Sequence, residues 1–275
     1  MKLMIVFLML FSVSNAFSQA TSETPLAAAP SNSSTDLSFW ERLKKAPIGI
    51  SVLNDTSAKT KTTSVTGVTS VTDVSFKYKI TSKNSLRLTT RGVVSDTDKT
   101  NPKSSYGGTT LGYSRSGLLS QDKYGVDMNA SLSYKVLAGG SSNTGYSLLR
   151  TSFSRTFSPI FSSTIDIRWY EYVRKTSKTD LSRRDFLLYY IPTFSINDKL
   201  SVSPTLAFNE TINGPKTVDG NNLNFAPSVD YSFTDKFSGS LYWDTYPLQS
   251  GDNSLFSSRW YSTGGLGFVL SYAIL

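Results

Sequence analysis

Residues 126–136 read Val126-Asp127-Met128-Asn129-Ala130-Ser131-Leu132-Ser133-Tyr134-Lys135-Val136. Every even position is apolar and every odd position is polar or charged. Successive side chains of an extended chain point to opposite faces, so this segment is a β-strand with one apolar face and one wet face. Its length matches the 9 to 11 or so residues that a tilted strand needs to cross the hydrocarbon of a bilayer. Working outward from it, the same two-residue period recurs along most of the chain.

Over 70–81, Val74, Phe76, Tyr78 and Ile80 alternate with Asp73, Ser75, Lys77 and Lys79. A strand over 48–54 precedes it. The turn Ser82-Lys83-Asn84-Ser85 leads to Leu86, Leu88 and Val94 on one face and Arg87 and Arg91 on the other. After a polar loop over 95–105, a fourth strand carries Leu111 and Tyr113, and Ser120-Gln121-Asp122-Lys123 turns the chain into 126–136. Further strands are read over 146–157 and 161–174 about Ser158-Pro159, and over 185–196 and 200–209 about Asn197-Asp198-Lys199. The last ones lie over 223–233 and 237–246 about Thr234-Asp235-Lys236, and from Trp260 to the end of the sequence. Asx residues accept bonds from amides two positions on, which closes hairpins. Tight turns alternate with longer Gly/Asn/Ser/Thr/Lys loops at 95–105, 175–184 and 210–222. That asymmetry predicts an all-β chain, a transmembrane antiparallel up-and-down β-barrel of about twelve strands over 48–275.

The first residues form an address. Met1-Lys2 is a basic start, 3–11 is an apolar run too short to span a bilayer, and Ala16 or Ala20 offers a cleavage site, so 1–20 reads as a signal peptide. Residues 21–47 read as a flexible leader with a short N-terminal helix: Ser38 and Glu41 have capping-box spacing, Trp40 and Leu43 share a face, and Lys44 and Lys45 precede Pro47. The 275 residues contain no cysteine, so no disulfide holds the fold. Mean hydropathy is −0.19, as befits strands that wet half their side chains. The formal charge is +8, or +7 once Lys2 leaves with the signal. Secretion argues against nucleic acid as the reason for that balance and leaves anionic head groups or an anion path.

The signal segment, the Asp-Lys turns and the terminal Phe268-Val269-Leu270-Ser271-Tyr272-Ala273-Ile274-Leu275 resemble those of Gram-negative outer-membrane β-barrel proteins. In that class the closing strand serves as the signal for the barrel-assembly machinery and commonly ends in an aromatic residue; here the chain ends in Leu275, with Phe268 and Tyr272 before it. The resemblance implies residence in the bacterial outer membrane, among lipid and lipopolysaccharide. Known twelve-stranded members include small porins for acidic sugars and nucleosides, an analogy of size and lumen charge without a shared motif.

No histidine is present, which removes the Ser-His and Asp-His chemistries and histidine-based zinc sites. No cofactor motif stands out, and the sequence reads as that of a non-enzyme. Aromatic girdles are expected, with Trp169, Tyr190, Trp243 and Trp260 near the loop ends and Phe157, Phe161, Phe194, Phe233, Phe237 and Tyr272 near the turns. Arg115 and Arg155 interrupt the apolar face close to turns, within snorkelling reach of the interface. Pro192, Pro204 and Pro227 fall inside strands, where each removes a ladder bond unless bulged. By parity the lumen receives Lys77, Lys79, Arg87, Arg91, Lys135, Arg150 and Arg168, with Arg174 at the rim, against Asp73, Asp127, Asp166, Asp230 and Asp244. The cations cluster on the second to seventh strands, a wall that would conduct small anionic solutes. Twelve strands lie between barrels filled by side chains and barrels with open channels, so a non-conducting structural or adhesive barrel working through its loops is the alternative.

Overall fold

The alternation of wet and apolar positions is the pattern that a closed sheet between lipid and water requires, because closure pairs every backbone group within the sheet. A computed structural model describes residues 46–61, 64–96, 103–137, 143–174, 183–213, 217–218, 222–248 and 265–275. Among these, twelve strands form the wall: β1 (Ile48–Lys61), β2 (Ser64–Lys79), β3 (Asn84–Asp96), β4 (Lys103–Leu119), β5 (Asp127–Val136), β6 (Asn143–Ser158), β7 (Phe161–Arg174), β8 (Arg183–Ser195), β9 (Leu200–Asn213), β10 (Asn222–Thr234), β11 (Phe237–Leu248) and β12 (Gly265–Ala273). Each pairs antiparallel with its neighbours, and β12 pairs with β1, closing the barrel. A two-residue strand, Thr217–Val218, adds to the outer end of β9. The signal segment, the leader and the expected helix lie outside the described residues.

The outer surface carries the apolar face of the alternation. Leu88, Leu111, Leu132, Leu149, Ile165, Leu206 and Leu241 all stand exposed on it, as lipid-facing side chains must. Near the tight turns the rings form a nearly continuous girdle. Phe157, Phe161 and Phe194 stack at 5.2 and 5.0 Å, and Tyr231, Phe233, Phe237 and Tyr272 follow at 5.0, 4.8 and 6.4 Å. At the loop end Trp169 meets Phe186 at 6.5 Å, and just beyond them Arg184 pairs with Glu171 at 3.2 Å. Tyr190 sits lower, paired with Ile165 and Leu206 inside the apolar band, and Trp260 lies outside the described residues. Arg155 rests its guanidinium 5.0 Å from the Phe157 ring centre, at the girdle rather than in the band.

The turns close by one recurring device. Thr81, Asn197 and Thr234 each accept from the amides two and three residues on, at 3.2 and 3.0, 2.9 and 3.0, and 3.3 and 3.0 Å. The acceptor is thus the residue before Asp198 and Asp235, not the aspartates of the repeated Asp-Lys unit. The turn between β4 and β5 is tighter than a loop: α1 (Gln121–Tyr124) is a single helical turn, ended by Gly125 at φ +75°.

The first two strands are longer than the alternation over 48–54 and 70–81 indicates, meeting across 62–63. Their outer face turns polar halfway up, which hides the period. Asn54 Nδ2 donates to Ser70 Oγ and Thr72 Oγ1, both at 3.0 Å, and the Thr56 hydroxyl lies 3.0 Å from Asn54 Oδ1 and from Ser70 Oγ. Thr90 and Thr109 pair likewise at 3.0 Å. Satisfying one another is what lets these groups face an apolar medium.

The three strand prolines form one row. Pro227 pairs with Pro204, Pro192 lies across from Ser163, and the ladder between β8 and β9 skips from Tyr190/Leu206 to Phe194/Val202 at their level. The missing bonds are therefore collected at one height, without a bulge, and the buried hydroxyls of Thr193 and Ser203 bridge the gap at 3.1 Å.

A side chain locks the seam between first and last strands. Tyr242 of β11 crosses β12 over Gly267 and donates its hydroxyl to Asp55 Oδ1 of β1 at 2.9 Å. A Cβ at Gly267 would stand 2.0 Å from Tyr242 Cζ, so only glycine lets the ring pass. Gly267→Val is expected to cost about 1–3 kcal/mol by overpacking. The urea midpoint of the refolded barrel reads it, and an unmoved midpoint would mean that the tyrosine has another place to lie.

Candidate functional site: the lumen

The wet face of the alternation lines the barrel, and its residues divide by height. In the half near the turns the lining is largely hydroxyl. Ser75 meets Thr89 at 2.8 Å, Ser85 meets Ser114 at 2.8 Å and Ser154 meets Thr164 at 3.0 Å, with Ser201, Ser203 and Ser240 continuing the lining. Lys77, Lys79, Arg87 and Asp230 share that half, and the other buried charges and the rings gather above it.

The structure turns Lys77, Lys79, Arg87, Arg91, Lys135, Arg150 and Arg168 inward, and the side chain of Arg174 lies outside the described ones. Lys77 and Arg87 are cross-strand partners on β2 and β3, and Lys79 stands exposed at the turn-side mouth beside Ser85. Higher up, Arg91 grips Asp73 with two bonds, Nε to Oδ1 at 2.6 Å and Nη2 to Oδ2. Fork-to-fork pairing of this kind fixes orientation as well as charge. Lys135 is buried on β5, its Nζ 5.9 Å from the Tyr146 ring centre.

A bulge brings Arg91 and Lys135 together. The register of β3 on β4 shifts after Arg91, and β4 there carries Gly107-Gly108, with Gly108 at φ +104°. A Cβ on Gly107 would lie 2.5 Å from Arg91 Cγ, and one on Gly108 would lie 3.1 Å from Lys135 Cε. The paired glycines are thus the floor on which both cations rest.

Arg150 and Arg168 are direct cross-strand partners on β6 and β7, a like-charge pairing that is unfavourable alone. Asp166 relieves it. Arg150 Nε reaches Asp166 Oδ1 at 2.9 Å and Oδ2 at 3.0 Å, while Arg168 donates to Oδ2 through Nε at 2.9 Å and through Nη2. Arg168 also lies 4.5 Å above the Tyr189 ring centre, and its planar cation suits that face. Around it Tyr146, Tyr170, Tyr172 and Tyr189 pack with Leu187, Ile191 and Ala207.

Facing this wall are β8 to β12 and β1, which carry the acids. Asp55, Asp185, Asp230 and Asp244 point inward from them, with Asn209, Thr211 and Asn224 alongside. Asn224 donates to Asp244, and Ser228 donates to Asp230 at 3.1 Å. Leu53, Tyr242 and Val269 make the apolar part of this side. Among the described side chains, every inward cation lies on β2 to β7. The side chains of Lys59, Lys61, Arg174 and Arg183 lie outside the described ones.

The seven cations named from the sequence and Asp73, Asp166, Asp230 and Asp244 lie on the inward face of their strands, including Arg150 and Arg168, whose parity the sequence leaves ambiguous. Asp127 is at the mouth, where its Oδ1 accepts the Gln121 amide at 2.8 Å. The reading omits Asp55 and Asp185, the inward tyrosines and the opposing asparagines. Asp55 was discoverable, since it continues the inward parity of Ser51 and Leu53.

A closed antiparallel barrel with an apolar outer belt, aromatic girdles and a charged, hydroxyl-rich interior defines the class: an outer-membrane β-barrel of small-channel size. The similar solved structures are of the same kind. One is an outer-membrane channel of Pseudomonas putida F1, at TM-score 0.57 and 12% identity over 83% of this chain and 96% of that one. Two others are the NanC porin, at 0.52 and 9% over 81% and 97%, and the KdgM porin, at 0.50 and 8% over 82% and 99%. At these identities the likeness is one of fold. No family model and no curated protein matches the sequence.

Proposed function

We propose that this barrel is a passive outer-membrane channel for small solutes and that anionic groups travel along the wall formed by β2 to β7. The observation that carries the reading is that, among the described side chains, the inward cations are confined to those adjoining strands. A continuous basic wall in a narrow lumen raises the local anion concentration. No cofactor enters this reading, and the barrel acts by diffusion rather than by catalysis. Lipopolysaccharide at the outer rim and the assembly machinery at the C-terminal strand are its partners.

The test is conductance of the refolded protein in a planar bilayer under a salt gradient. Conductance steps are expected, and replacing Arg87 and Arg91 together by alanine should move the reversal potential toward the cation value. The change removes two positive charges and leaves the Asp73 carboxylate without its guanidinium. An unmoved potential would remove both arginines from the selectivity path. A folded but silent barrel would favour a structural or adhesive role for the outer loops.

A further inference from the structure

The walls of the lumen are complementary to each other in charge, which a channel for simple anions does not need. In a closed ring of twelve strands each strand faces the one six places on, so β1 stands opposite β7, and β5 opposite β11. This sets Asp55 across from the Arg150–Asp166–Arg168 trio and Asp244 across from Lys135. The trio shares one carboxylate between two guanidiniums and so keeps one net positive charge. Opposite signs on facing walls make a field that runs across the lumen rather than along it.

A second observation is independent of the charge count. On the acidic side, Asp55 Oδ2 is buried without a hydrogen bond among the described residues, in a residue more than nine-tenths buried. A buried acceptor without a donor is costly, and it is the complement of a group that only donates. An ammonium is such a group, with three donors and no acceptor. On the other wall the guanidiniums are the complement of a carboxylate.

We infer that the lumen is built for small zwitterions, the carboxylate of the solute facing the arginines of β6 and β7 and its ammonium facing Asp55 and its unmet Oδ2. The inference rests on the channel reading and narrows its solute class. A simple anion gains on one wall and is repelled by the other, and a simple cation meets the reverse. A zwitterion, a dipole with no net charge, gains on both.

The experiment is flux of isotopically labelled β-alanine, propionate, propylammonium and neutral propionamide into proteoliposomes holding the full barrel. β-Alanine is expected to pass several-fold faster than propionamide, and Asp55→Asn with Asp244→Asn should bring that ratio toward one. If all four solutes pass and β-alanine has no advantage, the inference is overturned while the channel stands. If none passes through a correctly folded barrel, the channel reading fails and the inference with it. Should the double variant not fold, the ratio in the unmodified protein still decides.

Discussion

Replacing Asp166 by alanine is expected to destabilise the barrel by about 3–5 kcal/mol, because it leaves buried guanidiniums without their counter-charge. Asp166 is 0% exposed and Arg168 1% exposed, so water cannot take over the lost role. Arg150 and Arg168 are also cross-strand neighbours, and only the shared carboxylate makes that neighbourhood favourable. Equilibrium unfolding in urea, followed by tryptophan fluorescence and by heat-modifiable migration on gels, measures the loss. Asp166→Asn keeps acceptor oxygen but not charge and should fall between. A loss under about 1 kcal/mol would show that the trio behaves as an exposed ion pair, and that the lumen at this height is wetter than its packing indicates.

Placing an arginine at Leu132 is the second large effect, expected at about 2–4 kcal/mol for a cation near the middle of the hydrocarbon. Leu132 is 57% exposed at the centre of β5, flanked on the outer face by Leu149 and Tyr113, too far from either girdle for a short snorkel. The adjoining residue gives the control. Ser133 points into the lumen across from Gly112, where there is room, so Ser133→Arg should change stability little. A larger loss for Ser133→Arg than for Leu132→Arg would mean that the faces of β5 are exchanged, since a single step along a strand is all that separates lipid from water.

Legibility followed the side chains that alternate. β5 was readable residue by residue because Met128, Leu132 and Tyr134 alternate with Asn129, Ser131 and Ser133 without a break. β1 and β2 were readable only up to the height where Asn54, Thr56, Ser70 and Thr72 put hydroxyls and an amide on the lipid side. There the sequence looks like a loop, and only cross-strand partners show why polar groups are tolerated. The cation wall was legible for the same reason as the strands, by parity. The acidic wall was legible only in part: Asp230 and Asp244 follow from parity, whereas Asp55 and Asp185 lie just past the bounds the alternation suggested or at a strand's first residue. The Tyr242 clamp was beyond reach, since nothing local says that a ring on one strand will cross a glycine on the next to reach a third.

That clamp bears on the order in which the molecule is made. The Tyr242–Asp55 bond joins residues 187 apart in sequence, against 18 for the Arg91–Asp73 pair of an ordinary hairpin. By loop-closure entropy alone the former costs about 2 kcal/mol more to bring together. Hairpins can therefore add one to the next along the chain, each contact local and cheap, while β1 waits with one side unpaired. An unpaired strand edge recruits whatever strand is nearest, so the growing sheet must be shielded until β12 arrives. Biogenesis of this barrel thus has a single late, committing event, and the tyrosine that fastens it comes from the penultimate strand.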